Sequence, residues 1–258
     1  DKTCIVFYFL ILPFILLSGN SKEYEYQKDS IPSQSLADEL TEQITEFLDE
    51  GNYYVADSLA SRLKNHLPDI PDSVDWKKRY KYQYTIGNSR RLTEQHFAAI
   101  NYYKNALSLH TSNSGDDCEE RLDALYSAMA ETVYSMEIYT EAVKYTRKSH
   151  QVTKKCERPF YFICFDYENL ARLHYYIGDK DSTLFYLDKL KQSLDGIKNP
   201  EFKSYMTVST HKSALNFYRT YEKTEELHKE IQDYIDFCES QGPEFHEENL
   251  NENSFERV

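Results

Sequence analysis

Residues 178–183, Gly-Asp-Lys-Asp-Ser-Thr, combine a glycine, two aspartates and two hydroxyls, which are residue types that bind cations or phosphates. A calcium loop counted from Asp179 needs glycine at its sixth position and glutamate at its twelfth, and this chain has leucine at both. A phosphate loop needs Gly-Lys-Ser/Thr after a strand, whereas this stretch reads Gly-Asp-Lys after a helical pattern. We therefore interpret it as a turn between two helices, the first ended by Gly178 and the second capped by Asp181 or Ser182.

The cysteines and histidines form no catalytic or metal-binding signature. Cys118, Cys156, Cys164 and Cys238 lack the paired spacing of about two to four residues that a zinc site needs. The eight histidines form no HExxH motif, and no GxSxG motif occurs. We therefore predict a protein that is not an enzyme, with no catalytic residue, no metal site and no cofactor.

The elements that must position any site are helical. The chain has only 7 Gly and 7 Pro, and its aromatic content of 15% gives it much to bury, so we expect a folded, all-α protein. The formal net charge of −13 argues against nucleic acid and anionic membranes as partners, because both attract clustered Lys and Arg.

The two ends of the chain differ from its middle. Residues 4–19 carry no charge and precede small residues, so residues 1–21 are predicted to be a secretory signal peptide, with an N-terminal membrane anchor as the alternative. Residues 22–35 are polar and are interpreted as a linker, and residues 239–258 as an acidic, disordered tail. The chain is thus expected to be exported, either free in the periplasm or tethered to the membrane facing it.

Between these ends, over residues 36–238, a pattern repeats. A small residue follows a short turn at Ala56, Ala99, Ala142 and Thr183, at separations of 43, 43 and 41 residues. A weaker fifth copy places Glu226 at this position. Small residues let two antiparallel helices approach closely beside their turn. The pattern predicts four to five helical hairpins that stack into a solenoid, because a single hairpin cannot bury both of its faces.

The helix before each turn shows an apolar face. Residues 118–136 are the clearest case, with apolar side chains at helical spacing at Leu122, Leu125, Tyr126, Met129, Val133 and Met136. In the next copy, Tyr167, Leu170, Ala171 and His174 follow the same spacing and Gly178 ends the helix.

These residues resemble the tetratricopeptide repeat (TPR) family, whose first helix carries an aromatic, Leu-Gly/Ala and Tyr, and whose second carries Ala and an aromatic. The fourth copy supplies Tyr167, Leu170, Ala171 and His174, then Thr183, Leu187 and Leu190. The spacing of 41 to 43 residues exceeds the usual TPR period of about 34. The resemblance implies a right-handed α-solenoid. The layout is also similar to exported repeat regions of membrane-tethered regulators and lipoproteins of Gram-negative bacteria.

The resemblance implies that partners bind in the concave groove formed by the first helices. The positions expected to face it are Tyr84, Asn88, Arg91, Glu131, Tyr134, Glu168, Asn169, Arg172 and Tyr175. This mixture of aromatic, amide and charged side chains suits a peptide or protein segment. The expected function is a non-catalytic protein–protein interaction scaffold or an extracytoplasmic sensory region. A small glycan-like ligand stacked on tyrosines is the alternative, as is a fragment of a larger signalling regulator.

One cysteine pair is a disulfide candidate. Cys118 begins the first helix of the third pair and Cys156 follows the second, and the two ends of an antiparallel hairpin lie together. Cys164 is a competing partner for Cys156, and free thiols packed as small apolar residues are the alternative. Export would favour the Cys118–Cys156 disulfide.

Overall fold

The computed structural model describes residues 33–242, and within this range all regular structure is helical. The predicted signal peptide or anchor, all but the last three residues of the predicted linker, and the acidic tail beyond residue 242 lie outside the described residues. The helical region begins at Ser33 and ends at Gln241, slightly beyond the predicted 36–238. None of the helices within the described range is both long enough and apolar enough to cross a membrane.

Ten α-helices form five antiparallel hairpins among the described residues, so the predicted all-α solenoid is confirmed. The helices are α1 (Ser33–Asp49), α2 (Tyr53–His66), α3 (Trp76–Leu92), α4 (His96–Asn113), α5 (Leu122–Ser135), α6 (Tyr139–Lys155), α7 (Phe160–Ile177), α8 (Lys180–Ser193), α9 (Pro200–Thr220) and α10 (Thr224–Gln241). Each helix packs against the helices before and after it in the chain, so the hairpins stack in sequence order.

The small residues of the repeat lie where the two helices of a hairpin meet. Ala56, Ala99 and Ala142 are fully buried, and Thr183 is 2% exposed. Glu226, their counterpart in the fifth hairpin, is exposed, and α9 and α10 pair without a small residue there. A related close approach occurs at Gly87 of α3, where an added Cβ would lie 2.5 Å from the Tyr103 ring.

Every hairpin turn contains one residue with left-handed backbone. These residues are Gly51, Glu94, Glu137, Gly178 and Glu222, with φ between 54° and 81°. At the third turn the amides of Glu137 and Ile138 donate to the carbonyls of Tyr134 and Val133 at 2.8 and 2.9 Å. This pattern satisfies carbonyls that the end of a helix leaves without partners. The five turns therefore share one geometry, although only two of them use glycine.

The turn at residues 178–183 differs from prediction in its cap. Gly178 ends α7 as expected, with φ of 81°. The cap of α8 is Asp179, whose Oδ1 accepts from the amide of Ser182 at 3.1 Å. The prediction that Asp181 or Ser182 caps this helix was wrong, because α8 begins at Lys180 and both residues already lie within its first turn.

The fifth helix also begins later than predicted. Its apolar face is buried as expected, with Leu122, Leu125, Met129 and Val133 at most 5% exposed. The predicted range of 118–136 was too long at its start, because α5 begins at Leu122. A single 3₁₀ turn, Glu119–Arg121, precedes it, and its left-handed residues interrupt the helical backbone.

Candidate binding groove

All nine residues predicted to face the groove line connected cavities along α3, α5, α7 and α9. The largest has a volume of about 500 Å³, and the predicted residues on its wall are Tyr84, Asn88, Arg91, Glu131, Glu168 and Asn169. A narrow neck beside Tyr134 and Arg172 continues into a cavity of about 130 Å³ beside Tyr175. Neighbouring cavities of this row share wall residues, among them Glu131, Asn169 and Arg172, and we call the surface that the row forms the groove.

Pairs of predicted residues connect successive hairpins across the groove. Arg91 of α3 forms an ion pair with Glu131 of α5, with Nη1 and Oε2 2.8 Å apart. The guanidinium of Arg172 on α7 lies 4.8 Å from the centre of the Tyr134 ring on α5, a cation–π geometry. Glu168 accepts a hydrogen bond from Ser209 of α9. The groove wall is therefore held in place before any partner binds, which lowers the entropy cost of binding.

The amides of the groove are oriented by their neighbours. Tyr103 donates to Asn88 Oδ1 at 2.8 Å, and Arg172 donates to Asn169 Oδ1 at 2.7 Å. Each bond engages the amide oxygen as an acceptor, so the donor groups of these side chains are on the amide nitrogen. Amide N–H groups on a groove wall can donate to the carbonyls of an extended chain.

Three charged residues that the sequence reading missed also line the large cavity, and two of them, Arg121 and Asp123, lie at the start of α5. Arg121 reaches it from the segment before α5, with its guanidinium 5.2 Å from the centre of the Phe162 ring. Its Nη2 donates to Asp123 Oδ2 at 3.1 Å, and Asp123 is only 3% exposed. That hydrogen bond raises the pKa of the Arg121 guanidinium above its ordinary value, so the residue stays charged.

The segment that carries Arg121 is tied to the end of α6. Cys118 and Cys156 form a disulfide, with Cα atoms 5.3 Å apart. Arg158 Nη2 donates to the Cys118 carbonyl at 3.0 Å, and Lys155 pairs with Asp117 at 2.7 Å. Arg121 itself has a left-handed φ of 50°. Non-glycine residues adopt such a backbone only where their surroundings impose it, and here the surrounding bonds supply that constraint. Cys164 and Cys238 are buried free thiols.

Asp166 is the most unusual group in the groove. Its side chain is 4% exposed and lines the large cavity. His150 Nδ1 lies 3.4 Å from Asp166 Oδ2, but the two are not aligned as donor and acceptor, and neither atom has a hydrogen-bond partner among the described residues. Burial raises the pKa of the Asp166 carboxyl, and the imidazole opposes this in part.

Sequence signals existed for some of these missed residues. Asp166 interrupts the apolar run of residues 160–167, and a carboxylate on an otherwise apolar helix face indicates either a buried partner or a site. Asp123 lies in a similar position one residue after the start of α5. Arg121 had no such signal, because its placement depends on the irregular backbone before α5.

The groove offers hydrogen bonds, charge and aromatic contacts. Within the described range, no group of three or more His, Cys, Asp or Glu side chains could hold a metal ion.

Comparison with known proteins finds no matching family model and no matching curated protein, but it finds solved structures of the same fold. BtubC (BKLC) from P. vanneervenii is similar with a TM-score of 0.66 at 13% identity, covering 83% of this chain and 84% of that one. A putative kinesin light chain of Podosopora anserina, built of nearly identical TPR-like repeats, gives 0.66 at 13% identity, covering 83% of this chain and 100% of that chain.

A Rap protein in complex with Competence and Sporulation Factor is similar with a TM-score of 0.58 at 14% identity. The match covers 79% of this chain and 54% of the Rap chain. At such low identity the similarities concern the fold. Together with the five stacked hairpins, they show that this chain has the fold of TPR-like helical repeat proteins.

Proposed function

We propose that this chain is a non-catalytic interaction scaffold that binds an extended peptide or protein segment in the groove. The observation that supports the proposal most strongly is the extent of the groove along α3, α5, α7 and α9, with donors, acceptors and aromatic rings held in place on its wall. An extended chain needs regularly placed hydrogen bonds and pockets for alternate side chains, and such a wall provides both.

The alternative of a stacked sugar is less favoured by the geometry. Tyr139 and Tyr176 stack on each other with ring centres 5.0 Å apart and 14° between their planes. Arg172 covers the ring of Tyr134. Each contact occupies one face of the ring concerned, which leaves fewer faces on which a sugar could stack. The similar fold of a Rap protein in complex with Competence and Sporulation Factor supports the proposal by analogy of fold alone.

Selection from a random peptide library on the immobilised full chain tests the groove. We expect enriched peptides whose affinity falls at least about tenfold in Arg172→Glu and in Tyr175→Ala, because each change removes a contact on the groove wall. Fluorescence polarisation with labelled peptides gives the dissociation constants. Lys104→Glu, an equal charge reversal at an exposed site on α4, is the matched control. Equal affinity in all four proteins would reject the groove as the binding site.

We also propose that the chain works outside the cytoplasm. The uncharged run of residues 4–19 and the Cys118–Cys156 disulfide support this, because stable disulfides form mainly in oxidising compartments. Mass spectrometry of the full chain, with thiols trapped at cell lysis, tests it. We expect a cross-linked peptide pair containing Cys118 and Cys156, which disappears in Cys156→Ser. Complete labelling of both residues as free thiols would contradict the proposal.

A further inference from the structure

Another cavity lies between the start of α7 and the segment that leads into α9. None of the nine predicted groove residues lines it, and it shares only Phe165 with the large cavity of the groove. Its volume is about 570 Å³. Its wall is mainly aromatic and aliphatic, formed by Phe160, Tyr161, Phe165, Ile197 and Phe202. We call it the aromatic cavity. Exposed aromatic side chains surround its mouth, with Phe160 and Tyr161 41% and 40% exposed. Large exposed aromatics grouped around one opening are typical of a binding site.

The rings of the aromatic cavity support one another. Phe202 makes edge-to-face contacts with Tyr161 and Phe165, at centre distances of 5.5 and 5.4 Å. Phe160 rests against the backbone of Gly196, where an added Cβ would lie 2.5 Å from the ring. The glycine thus allows the position that Phe160 holds in the wall. Rings fixed in this way keep the cavity open without a ligand.

The aromatic cavity carries positive charge only, from a single lysine on its wall. Lys198 is the only charged residue among those that line it, and it is exposed. No carboxylate of the described chain forms an ion pair with its ammonium, although the protein as a whole carries a net charge of −13. The neighbouring Asn199 is already engaged, since its Oδ1 accepts from the amide of Phe202 at 2.8 Å. Lys198 therefore remains free to bind an anion at the mouth.

We propose that the aromatic cavity binds a small amphipathic anion, with an aromatic or branched apolar body and one carboxylate. The body would fill the ring-lined interior, and the carboxylate would pair with Lys198. Cavities of about 300–1,000 Å³ accommodate whole small molecules, and a single peptide side chain would leave much of this one empty. A small molecule is therefore favoured over a residue of the partner in the groove.

Isothermal titration of the full chain with three matched naphthalene compounds tests the proposal. The probes are 2-naphthylacetate, its neutral amide and the cationic 2-naphthylethylamine. We expect the anion to bind at least about tenfold more tightly than the cation, because a charge-assisted bond to Lys198 favours it. Lys198→Glu should abolish or reverse that preference. Gly196→Leu should weaken all three probes, because its side chain would clash with Phe160 and disrupt the wall of the cavity. Lys104→Glu, which is remote from the cavity, should change nothing.

Two results would overturn the assignment. One is equal binding of the three probes to the unaltered chain, or no binding of any. The other is binding of a peptide that ends in phenylalanine without binding of 2-naphthylacetate, which would assign the cavity to a peptide terminus. Circular dichroism checks whether Gly196→Leu remains helical. The exposed Lys198→Glu variant tests the charge preference even if Gly196→Leu does not fold.

Discussion

His174 is held as a neutral imidazole by partners on two other elements. Its Nε2 lies 3.3 Å from Arg147 Nη2 of α6, and its Nδ1 lies 3.1 Å from Asp179 Oδ2 at the turn. A guanidinium can only donate, so Nε2 accepts and the proton resides on Nδ1, which donates to Asp179. The ring also stacks on Tyr186 at a centre distance of 5.4 Å. A second proton, on Nε2, would face the positive charge of Arg147.

The pKa of His174 predicts a loss of stability in mild acid. Burial lowers this pKa below its ordinary value of 6.5, the charge of Arg147 lowers it further, and Asp179 opposes both. As pH falls through 6.5 the unfolded chain takes up the proton first, so the contribution of His174 is complete above pH 6.5 and is lost below it. We expect the melting temperature to fall less between about pH 7.5 and 5.5 in His174→Gln than in the unaltered chain.

Differential scanning fluorimetry between about pH 7.5 and 5.5 measures how steeply the melting temperature falls with pH in His174→Gln and in the unaltered chain. His228→Gln is the control, because it makes the same substitution at an exposed residue of α10. A slope in His174→Gln that equals the slope of the unaltered chain would show that His174 is not held neutral by its surroundings.

At the scale of the helix pair, much of the fold could be predicted because its causes are local or periodic. Buried small residues at Ala56, Ala99 and Ala142 mark where two helices approach, and their spacing of 43 residues reveals the repeat. The apolar face of α5 was equally visible, because burial requires helical spacing. The register of the repeat then placed all nine predicted residues along the groove.

The turns show where such prediction ends. Gly178 was recognised because glycine is the favoured left-handed residue, whereas Glu94, Glu137 and Glu222 adopt the same backbone with no such signal. A left-handed glutamate costs about 1–2 kcal/mol, and the hydrogen bonds of the turn and the packing of the two helices that it joins offset this. The position of Arg121 has a similar origin, because the irregular backbone and the disulfide before α5 set it.

A buried ionic network joins the first two hairpins. Arg90 of α3 is 8% exposed, and its Nη1 lies 2.7 Å from both carboxylate oxygens of Asp57 on α2. Its Nη2 donates to Ser61 at 2.8 Å. One guanidinium nitrogen thus contacts both carboxylate oxygens while the other contacts Ser61, so Arg90 links α3 to α2 through charge-assisted hydrogen bonds.

Across the whole molecule, stacked hairpins contact mainly their neighbours, so the end hairpin has fewer supports than the others. The α9–α10 hairpin has a small buried cluster, formed by Leu215, Tyr234 and Cys238. Glu230 of α10 adds a polar link. Its carboxylate is almost fully buried and accepts from Lys191 of α8 at 2.6 Å and from His211 of α9 at 2.8 Å.

Opposing effects act on the pKa of Glu230. Burial alone would raise it, but the hydrogen bonds from His211 and Lys191 outweigh burial and lower the pKa below its ordinary value of 4.5. The carboxylate therefore stabilises the fold above pH 4.5, and this contribution is lost as the pH falls through the lowered value. Because the three residues lie on the last three helices, the stabilisation is local to that end of the solenoid.

Neutralising Glu230 should therefore open the last hairpin without unfolding the rest. We expect Glu230→Gln to lower the free energy of opening of α10 by about 2 kcal/mol, because one buried charge-assisted network is lost. This corresponds to roughly 30-fold faster exchange of the α10 amides in hydrogen–deuterium exchange at neutral pH. Amides of α3 to α6 should change little, because in a stacked array the loss stays near the altered hairpin. Glu239→Gln, at an exposed site on α10, is the control. Equal acceleration along the whole chain would show that the solenoid unfolds as one unit and that Glu230 does not act locally.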